Sequence, residues 1–356
     1  MPRPDRRLVV FAPYGRRAGS SRVRLFEWIE HLHLNATVLV FTEENAAGFR
    51  QVVRRPIESW KRHRELAATQ IAPDDIVLIH RELSPFSDGK AEERLLRSGS
   101  QGIVDLDDGL QWDWGAGGLT RRFQPKSPKV LRMVRAADIV IAGNDLIAEW
   151  AGQHASRVVV IPSCVDSAKY ERKTAYGLTD PPRIGWIGTV TTERYLGVWT
   201  AALLEAHDRL GARLTVMGDV ATHSGAIEPM IDRVPWTEAG ACSLASKCDV
   251  GIMPLADGLL ERSKCGYKLL QYGAAALPSI ASTVGVNAEI TGGRETGRGD
   301  GLVELLSSSV DQRRAAGERA RVLVDERFTF EANAHLISPL VGGAASAATS
   351  GSERRT

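Results

Sequence analysis

One short stretch of the sequence, residues 262–282, places two lysines at the start of a predicted helix. It reads RSKCGYKLLQYGAAALPSIAS, with Lys264 and Lys268 four residues apart beside Gly266 and Tyr267. The N-terminal end of a helix already carries partial positive charge, so lysines there favour a bound anion. A solvated basic face is the alternative, but it does not explain the glycine, the tyrosine or the small-residue run GAAA.

The helical spacing predicted for residues 264–275 aligns three polar side chains along one side. Lys264, Lys268 and either Gln271 or Tyr272 recur at helical intervals. We expect Lys264 to contact a phosphate at the N-terminal end of the helix. Gln271 lies about two turns deeper, where an amide suits a ribose hydroxyl.

Further candidates for anion and base contacts follow predicted strands in the second half of the chain. Gly188 ends the strand in IGWIGTVTTERYLGVW, and Arg194 stands near the helix that follows. Arginine is well suited to phosphate. Gly218 ends another strand, and Trp236 in VPWTEAG suits either the wall of a base pocket or ordinary packing.

In the first half, the loop PYGRRAGSSRVRLFEWIEHL follows the first predicted strand. Gly15 and Gly19 allow an open turn, Ser20 or Ser21 caps the next helix, and Arg22 stands among further arginines. Free backbone N–H groups at such a helix start suit an anionic or hydroxyl-rich ligand. A tight turn with solvated arginines explains the pattern equally well.

Acidic side chains and a histidine follow two neighbouring strands of the first half. Asp105, Asp107 and Asp108 occur in DLDDGLQWDWG, and His80 ends the strand in LIHREL. Carboxylates this close need a cation, hydrogen-bond donors or a raised pKa when they are buried. Three interpretations stay open: a metal-binding DxD, a polar cleft that orients acceptor hydroxyls, and a turn that caps the next segment. His80 suits a general base or a hydroxyl-orienting group, although a lone histidine is more often an ordinary hydrogen-bonded residue.

Composition places the chain among soluble globular proteins. The net charge of +2 gives no electrostatic argument for nucleic acid as a partner. The four cysteines have no metal-ligand spacing, so we expect reduced thiols and a cytoplasmic protein. The N-terminal apolar run is too short for a signal peptide, and no run reaches the ~20 apolar residues of a membrane span.

Short apolar strands alternate with amphipathic segments from end to end, which predicts two Rossmann-like, doubly wound α/β domains facing a central cleft. The strands are expected at 8–12, 37–41, 75–80, 102–106, 138–142, 157–161, 183–188, 213–217, 249–253 and 278–282. The predicted organisation is an N-terminal domain at 1–165, a hinge at 166–182, a C-terminal domain at 183–325, a helix returning to the first domain at 326–341, and a disordered tail at 342–356.

The assembled motifs resemble the retaining GT-B-fold glycosyltransferases of the large clan called glycosyl transferases group one. The resemblance covers nearly the whole chain and is most specific in CDVGIMPL followed by KCGYKLLQYGAAALPSIASTVGVNAEI. It also includes the loop at 15–21, ADIVIAGNDLIAEW, VVVIPSCVD and the ending ERFTFEANA. The resemblance implies a GT-B fold, a second domain that binds a nucleoside-diphosphate sugar, and a first domain that binds the acceptor.

Several residues of this sequence differ from those of the family pattern at the same positions. Arg194 falls at a basic phosphate ligand, whereas Thr189 replaces an additional arginine whose charge Lys264 is expected to supply. The family's E-x7-E pair falls on Ser263 and Gln271, so the carboxylate that usually orients the donor sugar is missing. Glu261, two residues earlier, is the expected substitute.

The resemblance therefore implies a metal-independent enzyme with no cofactor, which moves a hexosyl or N-acetylhexosaminyl group with retention to a small-molecule or lipid-linked acceptor. Arg194 and Lys264 are the expected catalytic residues. The departures leave two alternatives: a catalytically silent sugar-nucleotide-binding partner and a nucleotide-sugar epimerase of the same fold. A nicotinamide dehydrogenase is disfavoured because GxGxxG is missing. The basic segment 52–67 with Trp60 suits an anionic membrane surface, although a solvated helix is the commoner explanation.

Overall fold

The computed structural model describes residues 6–44, 54–112, 126–218, 224–291 and 299–342, and its strands form two parallel sheets. Within this part of the chain, six strands build the first sheet in the order β2-β1-β3-β4-β5-β6. They are β1 (Leu8–Tyr14), β2 (Ala36–Thr42), β3 (Ile76–His80), β4 (Gln101–Leu106), β5 (Ile139–Ala142) and β6 (Val158–Val160). The strand order reverses between β1 and β3, which is where open α/β sheets bind ligands.

The second sheet contains five strands within the described residues, in the order β11-β10-β7-β8-β9. They are β7 (Arg183–Ile187), β8 (Arg213–Gly218), β9 (Ile231–Pro235), β10 (Val250–Met253) and β11 (Ser279–Ala281). Strand β9 was not predicted from the sequence. It is a half-exposed edge strand, IDRVP, so it lacks the continuous apolar run that marks the buried strands.

Helices cover both faces of each sheet. A first helix, α1, spans 19–31 and contains a π-helical segment, Arg22–Phe26. The others in the first half are α2 (Pro56–Ala67), α3 (Lys90–Leu96), α4 (Lys126–Ala136) and α5 (Asp145–Gly152). In the second half they are α6 (Val190–Glu193), α7 (Thr200–Leu210), α8 (Glu238–Lys247), α9 (Leu259–Arg262), α10 (Tyr267–Ala274), α11 (Asn287–Ile290), α12 (Leu302–Ser307), α13 (Val310–Arg327) and α14 (Phe330–Val341).

The chain returns to the first sheet at its C-terminal helix. Phe330, Ile337 and Leu340 of α14 are buried in one cluster with Val10 of β1 and Trp28 of α1. This apolar contact fixes the last helix against the N-terminal half. Helix α13 continues to Arg327, and the returning helix α14, predicted at 326–341, begins at Phe330.

The segment expected to be a hinge, 166–182, packs against the second sheet. Lys173 donates to the Cys248 carbonyl at 2.8 Å, and the Tyr176 hydroxyl donates to the Ala276 carbonyl at 3.1 Å. The predicted tail lies outside the described residues from residue 343 onward. None of the described helices has the length and apolar composition needed to cross a bilayer.

Candidate functional site

A cleft of about 270 Å³ lies between the two sheets, at the carboxyl ends of their strands. Residues from both halves of the chain line it. Those predicted from the first half are Gly19, Ser20, Arg22, Asp107 and Asp108. Those predicted from the second half are Gly188, Thr189, Trp236, Lys264, Gly266, Tyr267, Lys268 and Gln271.

Lys268 is the cation of this cleft with the clearest need for an anion. Its ammonium lies 5.3 Å from the centre of the Trp186 ring, and no ion pair ties it to another described residue. Burial and the nearby positive charge of Lys264 lower the pKa of Lys268 to about 8, against a smaller opposing effect of Asp108. A bound anion would restore the protonated form.

The backbone before α10 determines where the two lysines stand. Gly266 has φ +65° and a Cβ there would lie 2.6 Å from Ile290, so glycine is required. Because of this turn the helix begins at Tyr267, and the predicted helix start at residue 264 was wrong. Lys264 lies in the link between α9 and α10, with its ammonium 3.7 Å from Asp108 of the opposite half.

Arginines neutralise the acidic residues at the end of β4 and just after it. Arg24 donates to Asp105 at 3.2 Å through Nε, and His80 Nδ1 is 2.7 Å from the other carboxylate oxygen. Burial alone would raise the pKa of Asp105, but the charge of Arg24 and the hydrogen bond with His80 lower it below its usual value. Asp105 and His80 are buried beneath the cleft and do not line it.

Asp107 and Asp108 form the next acidic pair, and both line the cleft together with Arg81. This arginine donates to Asp107 at 2.5 and 2.9 Å and to Asp108 at 3.1 Å. Arg81 has φ +62°, a strained conformation for a residue with a side chain, and such strain clusters at functional sites. Despite the opposing effect of burial, the charge of Arg81 holds the pKa of Asp107 well below its usual range.

Four predicted donor contacts lie outside the cleft lining, and Arg194, Glu261 and Gly218 are three of them. Arg194 is exposed and donates to the Tyr195 hydroxyl at 3.1 Å. Glu261 is buried and accepts a hydrogen bond from that same hydroxyl, so it does not replace a cleft carboxylate. Gly218 ends β8 and accepts a hydrogen bond from the Trp236 amide at 3.1 Å.

Ser263 contacts the N-terminal half instead of the cleft. It is fully buried, and its hydroxyl accepts a hydrogen bond from the Gly109 amide at 3.0 Å. The Ser263 carbonyl accepts another from the Asn144 side chain at 2.6 Å. Gln271 does reach the cleft, where its amide donates to the Tyr170 hydroxyl at 3.1 Å.

One predicted acceptor contact belongs to the packing of the first sheet. Gly15 is buried, and its amide donates to the Thr42 carbonyl at 2.8 Å. A Cβ at Gly15 would lie 2.0 Å from the Glu43 carboxylate, so this glycine makes room for the end of β2.

Several lining residues were not among the predicted sites, including Arg17, Arg24, Arg81 and Cys265. Arg81 immediately follows β3, so its position at a strand end could have indicated it. Arg24 and Cys265 gave no such signal. Burial raises the pKa of the Cys265 thiol to about 12, with a further contribution from Asp107, so this cysteine stays protonated.

No known family model matches the sequence, and no curated protein matches it significantly. Solved structures do match. The structure named "Trehalose-6-phosphate from E. coli bound with UDP-2-fluoro glucose" has a TM-score of 0.62 at 15% identity, covering 95% of this chain and 99% of that one. HepE from Anabaena, in complex with UDP and glucose, has a TM-score of 0.63 at 14% identity, covering 94% and 99%.

A third structure covers the chain almost completely. The α,α-trehalose 6-phosphate synthase from Burkholderia multivorans has a TM-score of 0.61 at 13% identity and covers 99% of both chains. At these identities the likeness establishes the fold. The predicted fold class is therefore confirmed: the chain has the GT-B fold, with two Rossmann-like domains facing a central cleft.

Proposed function

We propose that the protein is a retaining glycosyltransferase that takes a sugar from a nucleoside diphosphate. The observation that carries this proposal is Lys268, a cleft cation with no ion pair among the described residues and a pKa lowered to about 8. Lys264 stands close enough to contribute to that shift. Together the two lysines suit the diphosphate of a donor, whose departure they would stabilise.

The names of the structural neighbours support a uridine donor. UDP-2-fluoro glucose is bound in the E. coli structure and UDP in the Anabaena one. In the proposed reaction the bond between the anomeric carbon and the diphosphate oxygen breaks, and a bond to the acceptor oxygen forms on the same face. The acceptor proton passes to the departing diphosphate oxygen, so the reaction needs no separate base. In this proposal the two lysines stabilise the diphosphate charge in place of a metal.

A thermal-shift screen with the diphosphates of uridine, guanosine, adenosine and thymidine, and with their sugars, tests the proposal. A ligand that binds the folded state raises the melting temperature by mass action. We expect stabilisation by one nucleotide, loss of that stabilisation in Lys268→Met, and release of the nucleotide from its sugar when an acceptor is present. If none of these nucleotides or nucleotide sugars raises the melting temperature, the proposal is refuted.

A second candidate is a catalytically silent protein that binds a sugar nucleotide. It is favoured by Ser263, which is buried away from the cleft where the resemblance places a carboxylate. Stabilisation by a sugar nucleotide, with no consumption across a broad panel of sugar and lipid acceptors, would favour this candidate. Conversion of the donor without any acceptor would instead identify an epimerase.

We also propose contact with an anionic membrane surface through α2. Ile57 is 83% exposed and Trp60 is 51% exposed on this helix, next to the exposed residues Lys61 and Arg64. Apolar side chains flanked by basic ones suit the headgroup region of anionic lipids. Cosedimentation with phosphatidylglycerol vesicles should be lost in Trp60→Ser, whereas equal binding to phosphatidylcholine vesicles would contradict the proposal.

A further inference from the structure

A basic pair from the N-terminal half lines the same cleft as the lysines assigned to the donor. Arg22 and Arg17 both line the cleft, on the segment that follows β1. Arg22 is only 5% exposed, and its guanidinium lies 5.0 Å from the Trp236 ring. A π-helical turn begins at this residue, and such turns often occur at functional sites.

The Arg22 guanidinium interacts with the Tyr267 hydroxyl of the second half, but it is incompletely paired. Its Nη1 has no hydrogen-bond partner among the described residues. Its ion pair with Glu27 is long, at 3.6 Å through Nε, and Lys169 shares the same carboxylate at 3.9 Å. A buried guanidinium N–H without an acceptor is costly, so an anionic ligand would stabilise this arrangement.

The other cleft arginines are already neutralised. Arg24 is paired with Asp105, and Arg81 with both Asp107 and Asp108. A diphosphate held by Lys264 and Lys268 would therefore leave the Arg22 side of the cleft unmatched. Arginine presents a planar set of donors that fits phosphate or carboxylate oxygens.

We propose that Arg17 and Arg22 form a second anion site, and that the acceptor sugar or lipid carries a phosphate group there. The identification of this ligand as the acceptor rests on the proposed function. The existence of the anion site does not depend on it. The two arginines belong to the half of the chain opposite the lysines, and in this proposal both anions are bound at once.

Calorimetric titration of inorganic phosphate into the full-length protein, with and without saturating UDP, tests the proposal. With saturating UDP bound at the lysines, we expect phosphate still to bind, and to lose at least about tenfold in affinity in Arg22→Gln and Arg17→Gln. Arg16→Gln is the matched control, because Arg16 is on the same loop but is paired with Glu30 and does not line the cleft. Arg17 is exposed, so its variant keeps the test valid if Arg22→Gln does not fold.

Loss of all phosphate binding under saturating UDP would overturn the proposal, because it would mean that one site serves both anions. Absence of phosphate binding, or binding unchanged in Arg22→Gln and Arg17→Gln, would overturn it as well. If UDP does not bind but phosphate binding depends on both arginines, the donor assignment fails and the second anion site stands.

Discussion

The hydroxyl of Ser263 accepts a hydrogen bond from the amide of Gly109, and the two residues belong to opposite halves of the chain. The bond joins the link before α10 to the acidic segment after β4. A serine at this position therefore holds the two halves together in the described conformation, whereas the resemblance predicts a sugar-orienting glutamate there.

Restoring that glutamate should destabilise the protein. Ser263 is fully buried, so the carboxylate of Ser263→Glu would be desolvated beside Gly109, at a cost of at least about 3 kcal/mol in the free energy of unfolding. Ser263→Ala should cost only about 1–3 kcal/mol, because it leaves the Gly109 amide without an acceptor. Urea denaturation measures both changes. Equal stability of Ser263→Glu and the wild type would show that position 263 opens to the cleft.

Lys268 and Arg194 should differ sharply when each is replaced. Removing the Lys268 ammonium should cost about 2 kcal/mol of nucleotide binding, or roughly thirtyfold in Kd. Arg194→Ala is the matched control, since Arg194 is exposed and outside the cleft lining, and its Kd for UDP should stay within about threefold. Calorimetric titration with UDP gives both values. A larger loss in Arg194→Ala than in Lys268→Met would reverse the assignment made from the geometry.

The pH dependence of nucleotide binding should report the titration of Lys268. Its pKa is lowered to about 8 by burial and by Lys264, so the free protein loses this positive charge as the pH rises through that value. A bound diphosphate favours the protonated form, so UDP affinity should fall above about pH 8, by at most about tenfold per pH unit. Lys268→Met should lack this decline. A wild-type profile that matches the variant between neutral and alkaline pH would contradict the prediction.

Stability at acid pH should depend on Glu82. Burial opposes ionisation of this carboxylate, but Lys129 and Lys126 lower its pKa from 4.5 to about 2. The ionised form therefore stabilises the fold above the unfolded-state pKa, and this contribution is lost as the pH falls from 4.5 towards about 2. Glu82→Gln leaves Lys129 buried without its charge partner and should cost about 3–5 kcal/mol near neutral pH. Denaturation at several pH values checks both effects, and a variant as stable as the wild type at neutral pH would contradict them.

The sequence predicted most of the fold because buried parallel strands are continuous apolar runs. VVFA in β1 and IVIA in β5 are apolar runs of strand length that lie between turn residues, so each run indicates a buried strand. The prediction from sequence failed at β9, an edge strand in which Asp232 and Arg233 are partly exposed. It also failed at the start of α10, because the left-handed conformation of Gly266 cannot be distinguished in sequence from a glycine inside a helix.

The site was less predictable than the fold, because its charges are paired across long stretches of sequence. Asp105 was a visible candidate, but Arg24, which neutralises it, lies 81 residues earlier. The pattern after β4 therefore left a metal site, a polar cleft and a capping turn open. The structure shows arginines in ion pairs with these carboxylates, an arrangement that local spacing could not reveal.

The position of UDP in a crystal structure of the complex would test the central claim most directly. We predict that the diphosphate lies within hydrogen-bonding distance of the Lys268 and Lys264 ammonium groups, with the ribose next to Gln271. A diphosphate bound at Arg194, or anywhere outside the cleft between the two sheets, would contradict the proposed donor site.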